Sequence, residues 1–254
     1  MNHVYDKDDD SALPRRGGLP VSDPRLTLSA ARRMLYRHGC DSAVAGHVSA
    51  RAGDEGFWMT PFEYFDETTP DRVARLGWDL SPLDGDSFPG SPAASFHSSI
   101  YRRRPDVGSI IHIHSHYLSV LVSTDRFVGM FNVAAALFFD EQAHYVDDGE
   151  RPSVDGERMA DELGARSILL MRNHGALIAA DTVEQATILA LTLEKCARYD
   201  LECRAAGGQE IPDAEARRVK GQYHKYFLPQ MWEANLRRLR VSDPDLFVES
   251  PGTS

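Results

Sequence analysis

The sequence predicts a layered α/β domain. Three observations carry that expectation. Segments of helical and of strand period alternate along the chain, several strand-like runs are joined by short turns of antiparallel kind, and no repeat or low-complexity tract divides them. With 254 residues the chain is long enough to bury a core without disulfide staples. Residues 1–23 read as a flexible N-terminal segment, 24–240 as one domain and 241–254 as a C-terminal tail, since both ends lack apolar periodicity.

The first helix is placed by Leu28, Ala31, Leu35 and His38, which recur at steps of three and four, with Gly39 at its end. Short β-rich runs around Val48 and from Phe57 to Thr60, parted by a turn near Asp54 and Gly56, predict a hairpin. Ser91 followed by Pro92 reads as a cap and first turn, opening a helix through Phe96, His97 and Ile100 that Pro105 ends. VGSIIHIH is a buried strand, YLSVLVS a short helix, and GMFNVAAALFF an apolar segment whose type stays open. SILLMRNHG and ALIAA form two strands about a turn at Asn173, His174 and Gly175. Asp181 with Glu184 resembles a capping box for a long helix ending at Gly207 and Gly208. The last helix, about 213 to 238, should kink at Pro229.

Composition narrows the function classes. Lys and Arg number 28 against 38 Asp and Glu, a net charge of −10, which disfavours phosphate backbones and anionic lipid, so neither nucleic acid nor a membrane surface is an expected partner. No apolar run approaches the ~20 residues of a spanning helix, and the acidic start MNHVYDKDDDS lacks the form of a signal peptide. Cys40, Cys196 and Cys203 cannot all pair and suit reduced thiols, so a cytoplasmic location is expected. No Cys-x-x-Cys suggests a thiolate zinc site.

Histidine carries the chemistry. His112 and His114 stand two apart in a strand-like run, which puts both imidazoles on one face of a sheet, a rigid arrangement that Zn, Fe, Mn or Co accepts. Alone, such a pair is equally compatible with a satisfied core histidine and a chance neighbour. The Asn173-His174-Gly175 turn adds a third imidazole where a strand ends, and Gly175 permits a tight backbone there.

The segments FHSSIYRRRPDVGSIIHIHSHY and LLMRNHGALIAA resemble the class II aldolase and adducin head-domain superfamily, and the likeness covers about Leu26 to Gly208. The resemblance implies a three-layer α/β/α sandwich around a mostly antiparallel sheet, assembled as a homo-oligomer, commonly a cyclic tetramer with the site near a subunit interface. It also implies a divalent metal on His112, His114 and His174.

Departures from the family pattern refine this expectation. Where aldolase members carry a glutamate four residues before the helix histidine, here His97, this chain has Ala93, which can neither ligate nor move a proton. The family's G-N-x-S turn reads Gly46, His47, Val48, Ser49, its T-P-x-G turn reads Thr60, Pro61, Phe62, Glu63, and its S-S-E segment reads Ser91, Pro92, Ala93, so a sugar phosphate is not expected. Phe57, Trp58, Phe62, Tyr64 and Phe65 read as core or interface packing, yet rings in place of donors favour an aromatic or apolar substrate. With FWMTPFEYFDETTPDR and YFLPQMWEANLRRLRVSDPDLF, Ala93 makes the chain most similar to the branch that lacks the glutamate, the novobiocin- and clorobiocin-pathway non-haem iron oxygenases.

The expected function is therefore an Fe(II)-dependent oxygenase or oxidative decarboxylase acting on an aromatic 2-oxo or 2-hydroxy acid, with dioxygen as co-substrate. Three histidines depart from the usual two-histidine, one-carboxylate iron site. A Zn- or Mn-dependent lyase and a non-catalytic adducin-like module are the alternatives. Candidate catalytic residues are His97, as a partner of a ligand histidine, His116 and Tyr117 just past the metal strand, and Tyr145, near His144 and Asp147. His3, His38 and His224 look structural or exposed, and Arg102, Arg103 and Arg104 read as a solvated helix face.

Overall fold

The computed structural model describes residues 23–83, 91, 93–147 and 155–247. Helix α1, Pro24–Arg37, starts where the Asp23 side chain accepts the Arg25 amide at 2.9 Å and Pro24 presets the first turn. It stops at His38, after which Gly39 takes φ +68°, a left-handed value that glycine adopts without strain. Strands β1 (His47–Arg51) and β2 (Gly56–Met59) make the expected hairpin, and β3 (Ala74–Gly77) extends it. Then come α2 (Ala94–Arg103), β4 (Ser109–Ile113), α3 (His116–Val122), β5 (Gln142–Tyr145), α4 (Gly156–Leu163), β6 (Ile168–Met171), β7 (Gly175–Ala180) and α5 (Val183–Ala205). Helices α6 (Asp213–Gln222) and α7 (Leu228–Ser242) close the described chain, with a 3-10 turn at Pro244–Phe247.

The sheet has seven strands in the order β3-β2-β1-β4-β7-β6-β5, and every pairing except β5 with β6 is antiparallel. Alternation along the strands fills both faces. Val48, Ala50, Ile111, Ile113, Ala176 and Ile178 point into the core shared with α1, α3, α5 and α7. Ile110, Leu177, Ala179, Leu169 and Met171 point into the core under α2 and α4. The result is the α/β/α sandwich around a mostly antiparallel sheet. Among the described residues no helix is long and apolar enough to cross a membrane.

Local details differ from the sequence reading. Helix α2 begins at Ala94, and Ser91 lies ahead of it, its hydroxyl accepting the Ala93 amide at 3.3 Å and its carbonyl the Ala94 amide at 2.9 Å; Pro92 falls outside the described residues. Thr182, not Asp181, caps α5, taking the Gln185 amide at 3.2 Å. The open segment after Gly129 is a 3-10 turn, Val133–Phe138, started by the Asn132 side chain, which accepts the amides of Ala134 and Ala135. Between α6 and α7 the interruption is a π turn, Tyr223–Phe227, in which the Leu228 amide reaches back to Tyr223, one residue further than in an α-helix. Pro229, which lacks an N–H, follows at once in the first turn of α7. Beyond the helix, Asp243 is buried between Arg33 and Arg37, and Leu246 joins the core.

Candidate metal centre

Strand β4 delivers His112 near its end and His114 one residue past it. Because β7 pairs with β4 in the register His112 to Leu177 and Ile113 to Ala176, the β6–β7 turn carrying His174 lies beside them. Asn173 turns this corner at φ +54°, a conformation that asparagine tolerates better than most residues. Gly175 is required by proximity: a Cβ there would stand 2.3 Å from the Ile113 carbonyl oxygen and 2.8 Å from the His114 ring. The three rings close on one another, with centroids 4.4 Å (His112 and His114), 4.9 Å (His112 and His174) and 4.8 Å (His114 and His174) apart, and their ligating nitrogens lie within 4.8 Å of one another.

The donor set suits a divalent ion. The Ala176 carbonyl accepts from Nδ1 of His112 at 2.9 Å, which fixes the tautomer and leaves the Nε2 lone pair free to ligate. Nε2 of His114 is buried with no hydrogen-bond partner, a cost of about 1–3 kcal/mol that a bound cation would offset. Burial pushes the imidazolium form of His112 far below its ordinary range and His114 down to about 4, and lowers His174 as well, so all three are neutral at pH 7, the form that ligates. No carboxylate joins this cluster among the described residues, and Ala93 sits at the head of α2 as an uncharged side chain.

The loops around the triad are held by polar contacts made inside the fold. Ser42 accepts the His114 amide at 2.7 Å. Glu194, on α5, accepts the Ser115 hydroxyl at 2.7 Å and the amides of Tyr117 and Leu118 at 2.9 Å each, capping α3 directly after β4. Beneath the Thr60 to Glu63 turn the buried Arg32 guanidinium donates to the carbonyls of Pro61 at 2.6 Å and Glu63 at 2.5 Å; burial lowers it to about 10.

Candidate residues other than the triad separate. His97 is fully buried on α2, but its Nε2 meets Nδ1 of His47 at 2.7 Å and its Nδ1 meets Oγ of Ser49 at 2.6 Å, so it touches no triad imidazole through a hydrogen bond; His47 stands between. His116 is exposed at the start of α3 with its ring against Tyr117, and Tyr117 lies under Arg198. Neither makes a ring contact with the triad. Tyr145 ends β5, separated from β4 by the two strands β7 and β6, and is buried in the α2/α4-side core beneath Arg158. From the same stretch, Asp147 favours protonation of His174 through its charge. The aromatic run does not form a single pocket: Phe57 and Phe65 are buried in different cores, Trp58 is half-buried between Arg25 and Arg75, and Phe62 and Tyr64 are 52% and 51% exposed.

His47 is the site residue that sequence reasoning missed, noting it only as a departure from a family turn. Its ring lies 5.0 Å from His112, because β1 and β4 pair in the register His47 to His112. The available signal was the period of two linking His47 and Ser49, which places both on the triad's face of the sheet.

A neutral, buried histidine cluster makes stability depend on pH. In the unfolded chain these imidazoles take up protons near pH 6.5, whereas burial holds His47, His97 and His112 far below that and His114 at about 4. Between those limits the unfolded state binds more protons, so stability present above pH 6.5 is lost progressively as pH falls. The metal-free protein is therefore expected to unfold at lower urea concentration at pH 5.5 than at 7.5. Equal midpoints would contradict the neutral cluster.

Residues 27–201 match the Class II Aldolase and Adducin N-terminal domain. The 4-hydroxy-3-prenylphenylpyruvate oxygenase/4-hydroxy-3-prenylbenzoate synthase of Streptomyces roseochromogenus subsp. oscitans is 31% identical over 240 residues, covering 88% of this chain and 84% of that one. Decarboxylase NovR of Streptomyces niveus is 30% identical over 238 residues, covering 88% and 86%. In fold, the L-fuculose 1-phosphate aldolase from Glaciozyma antarctica PI12 superposes with a TM-score of 0.79 at 22% identity over 89% of this chain and 91% of that one. The matched domain, these relatives and the shared fold place the chain in the class II aldolase and adducin N-terminal domain family.

Proposed function

We propose that the protein is a non-haem iron oxygenase or oxidative decarboxylase acting on an aromatic 2-oxo or 2-hydroxy acid, with its metal on His112, His114 and His174. The observation that carries the reading is the cluster of three neutral imidazoles without a carboxylate among the described residues. The class II aldolases of the family imply a divalent metal, and two relatives matched over more than four fifths of each chain are named for oxygenation of an arylpyruvate and for decarboxylation. When bound, iron(II) would supply the redox chemistry, and a cage of three imidazoles leaves positions in which a bidentate acid can sit.

The chain's own residues hold and shield the site. Ala176 fixes the His112 tautomer, Gly175 allows the β6–β7 turn to approach His114, and Glu194 anchors the segment after His114. The alanine at 93 supplies no acid or base, which suits a reaction driven by the metal and the substrate's own acid group better than an aldol cleavage that needs a positioned proton shuttle.

Protein reconstituted anaerobically with Fe(II) and then exposed to air is expected to consume dioxygen with 4-hydroxyphenylpyruvate or a ring-alkylated form of it. Carbon dioxide release from the same acid without dioxygen, supported by Zn or Mn, would replace this reading with a lyase. No turnover of any arylpyruvate by metal-loaded protein would overturn it.

A further inference from the structure

Under α2 a row of four buried side chains leads from the helix to the triad. The Tyr101 hydroxyl lies 2.8 Å from Oγ of Ser49, Oγ of Ser49 is 2.6 Å from Nδ1 of His97, and Nε2 of His97 is 2.7 Å from Nδ1 of His47. All four residues are at most 1% exposed. Such a row has a direction, because each member can give its hydrogen to only one neighbour.

Tyr101 fixes that direction. Burial pushes its phenol up, so it keeps its proton, and its one side-chain hydrogen-bond partner is Oγ of Ser49. The phenol therefore donates to Ser49, whose own hydrogen then goes to Nδ1 of His97. A neutral imidazole that accepts at one nitrogen donates at the other, so His97 donates from Nε2 to Nδ1 of His47. His47, accepting at Nδ1, must carry its hydrogen on Nε2. The opposite polarity would leave the Tyr101 proton buried without an acceptor, which is costly.

His47 is placed to use that hydrogen. Its ring stands 5.0 Å from His112, and the hydrogen bond its ring makes among the described residues is at Nδ1, with His97, which leaves Nε2 available. We propose that His47 is the site's fixed hydrogen-bond donor, presenting Nε2–H to an oxygen of the substrate's 2-oxo-acid group, with His97, Ser49 and Tyr101 as the positioning residues that set its tautomer. The assignment deepens the reading of an aromatic 2-oxo acid and rests on it for the identity of the substrate. A donor whose hydrogen is fixed in advance needs no reorganisation when negative charge gathers on the oxygen it faces.

The test uses the full chain loaded with Zn, which is diamagnetic, and reads histidine tautomers by long-range proton–nitrogen correlation. His47 and His97 are both expected as the Nε2–H form; His47 protonated at Nδ1 would overturn the proposal. Phenylpyruvate is then titrated calorimetrically. H47L is expected to weaken its binding about tenfold, the equivalent of about 1.4 kcal/mol, while H47Q, which keeps an N–H at nearly the same place, recovers most of the loss. In Fe(II)-loaded protein the H47L loss should fall on kcat at least as heavily as on KM, since the donor meets more charge as reaction proceeds. Native-like binding by H47L would overturn the donor. The expected tautomers without any binding of phenylpyruvate would instead overturn the 2-oxo-acid reading and leave the donor assignment in place.

Discussion

His174→Ala is expected to abolish stoichiometric metal retention while leaving the fold intact. His174 sits on the exposed β6–β7 turn with one side of its ring against His112 and His114, so its loss opens little space, and the metal-free variant should match the native protein to within about 0.5 kcal/mol in urea unfolding. Changes to residues that merely orient ligand histidines cost about 10–100-fold in metal affinity, and removal of a ligand should exceed that range. Native protein at a free metal concentration a hundredfold above Kd should gain about 2.7 kcal/mol of stability, a gain the variant lacks. Chelator competition with elemental analysis, followed by melting with and without metal, measures both effects. Unchanged affinity would remove His174 from the centre, and with it the three-imidazole cage.

The second large effect is expected at Glu194. Its carboxylate is the shared acceptor of one hydroxyl and two amides at the start of α3, all in a buried region. Glu194→Ala leaves three donors without partners, and at about 1–3 kcal/mol each, partly relieved by entering water, the variant should lose about 3 kcal/mol or more. Glu194→Gln retains one carbonyl acceptor but turns an amide N–H toward the remaining donors, so its loss should be intermediate. Because Ser115 follows His114 directly, both variants should also loosen metal binding. Urea midpoints and metal content check the two effects, and an alanine variant within 1 kcal/mol of native would show that the cap contributes little.

Much of this architecture was written in local patterns. Gly39 marks the end of α1 because it takes a left-handed backbone state that few other residues tolerate. The turn chemistry of Asn173 and Gly175 announces the β6–β7 corner for the same reason. What escaped local reading depended on choices between near-equal neighbours or on pairing across long separations. Asp181 and Thr182 are both competent caps, and in the fold the Asp181 backbone lies against Gly108 while the Thr182 side chain takes the cap. The type of the apolar Val133–Phe138 run is set by the Asn132 side chain and not by periodicity, so a search for a 3.6- or two-residue repeat finds none. His97 was assigned to the right neighbourhood but the wrong partner, since the strand separating it from the triad holds another histidine, and that depends on the β1–β4 register. The convergence of His112, His114 and His174 was inferred from resemblance to a family, because no spacing in the chain itself joins residues separated by two further strands and two helices.

The adjacency of β4 and β7 has a consequence for how the molecule is made. Their hydrogen-bonded rows join residues such as Ile113 and Ala176 that are far apart in the chain, with α3, β5, α4 and β6 between them. Loop closure on that scale comes late in a folding reaction, after local hairpins and helices have formed. An incoming ion would thus find its cage only in chains that had already completed the central sheet, so it acts as a final clasp and not as a nucleus. Stripping and reloading the ion should consequently leave refolding rates nearly untouched while changing the rate at which the finished molecule comes apart.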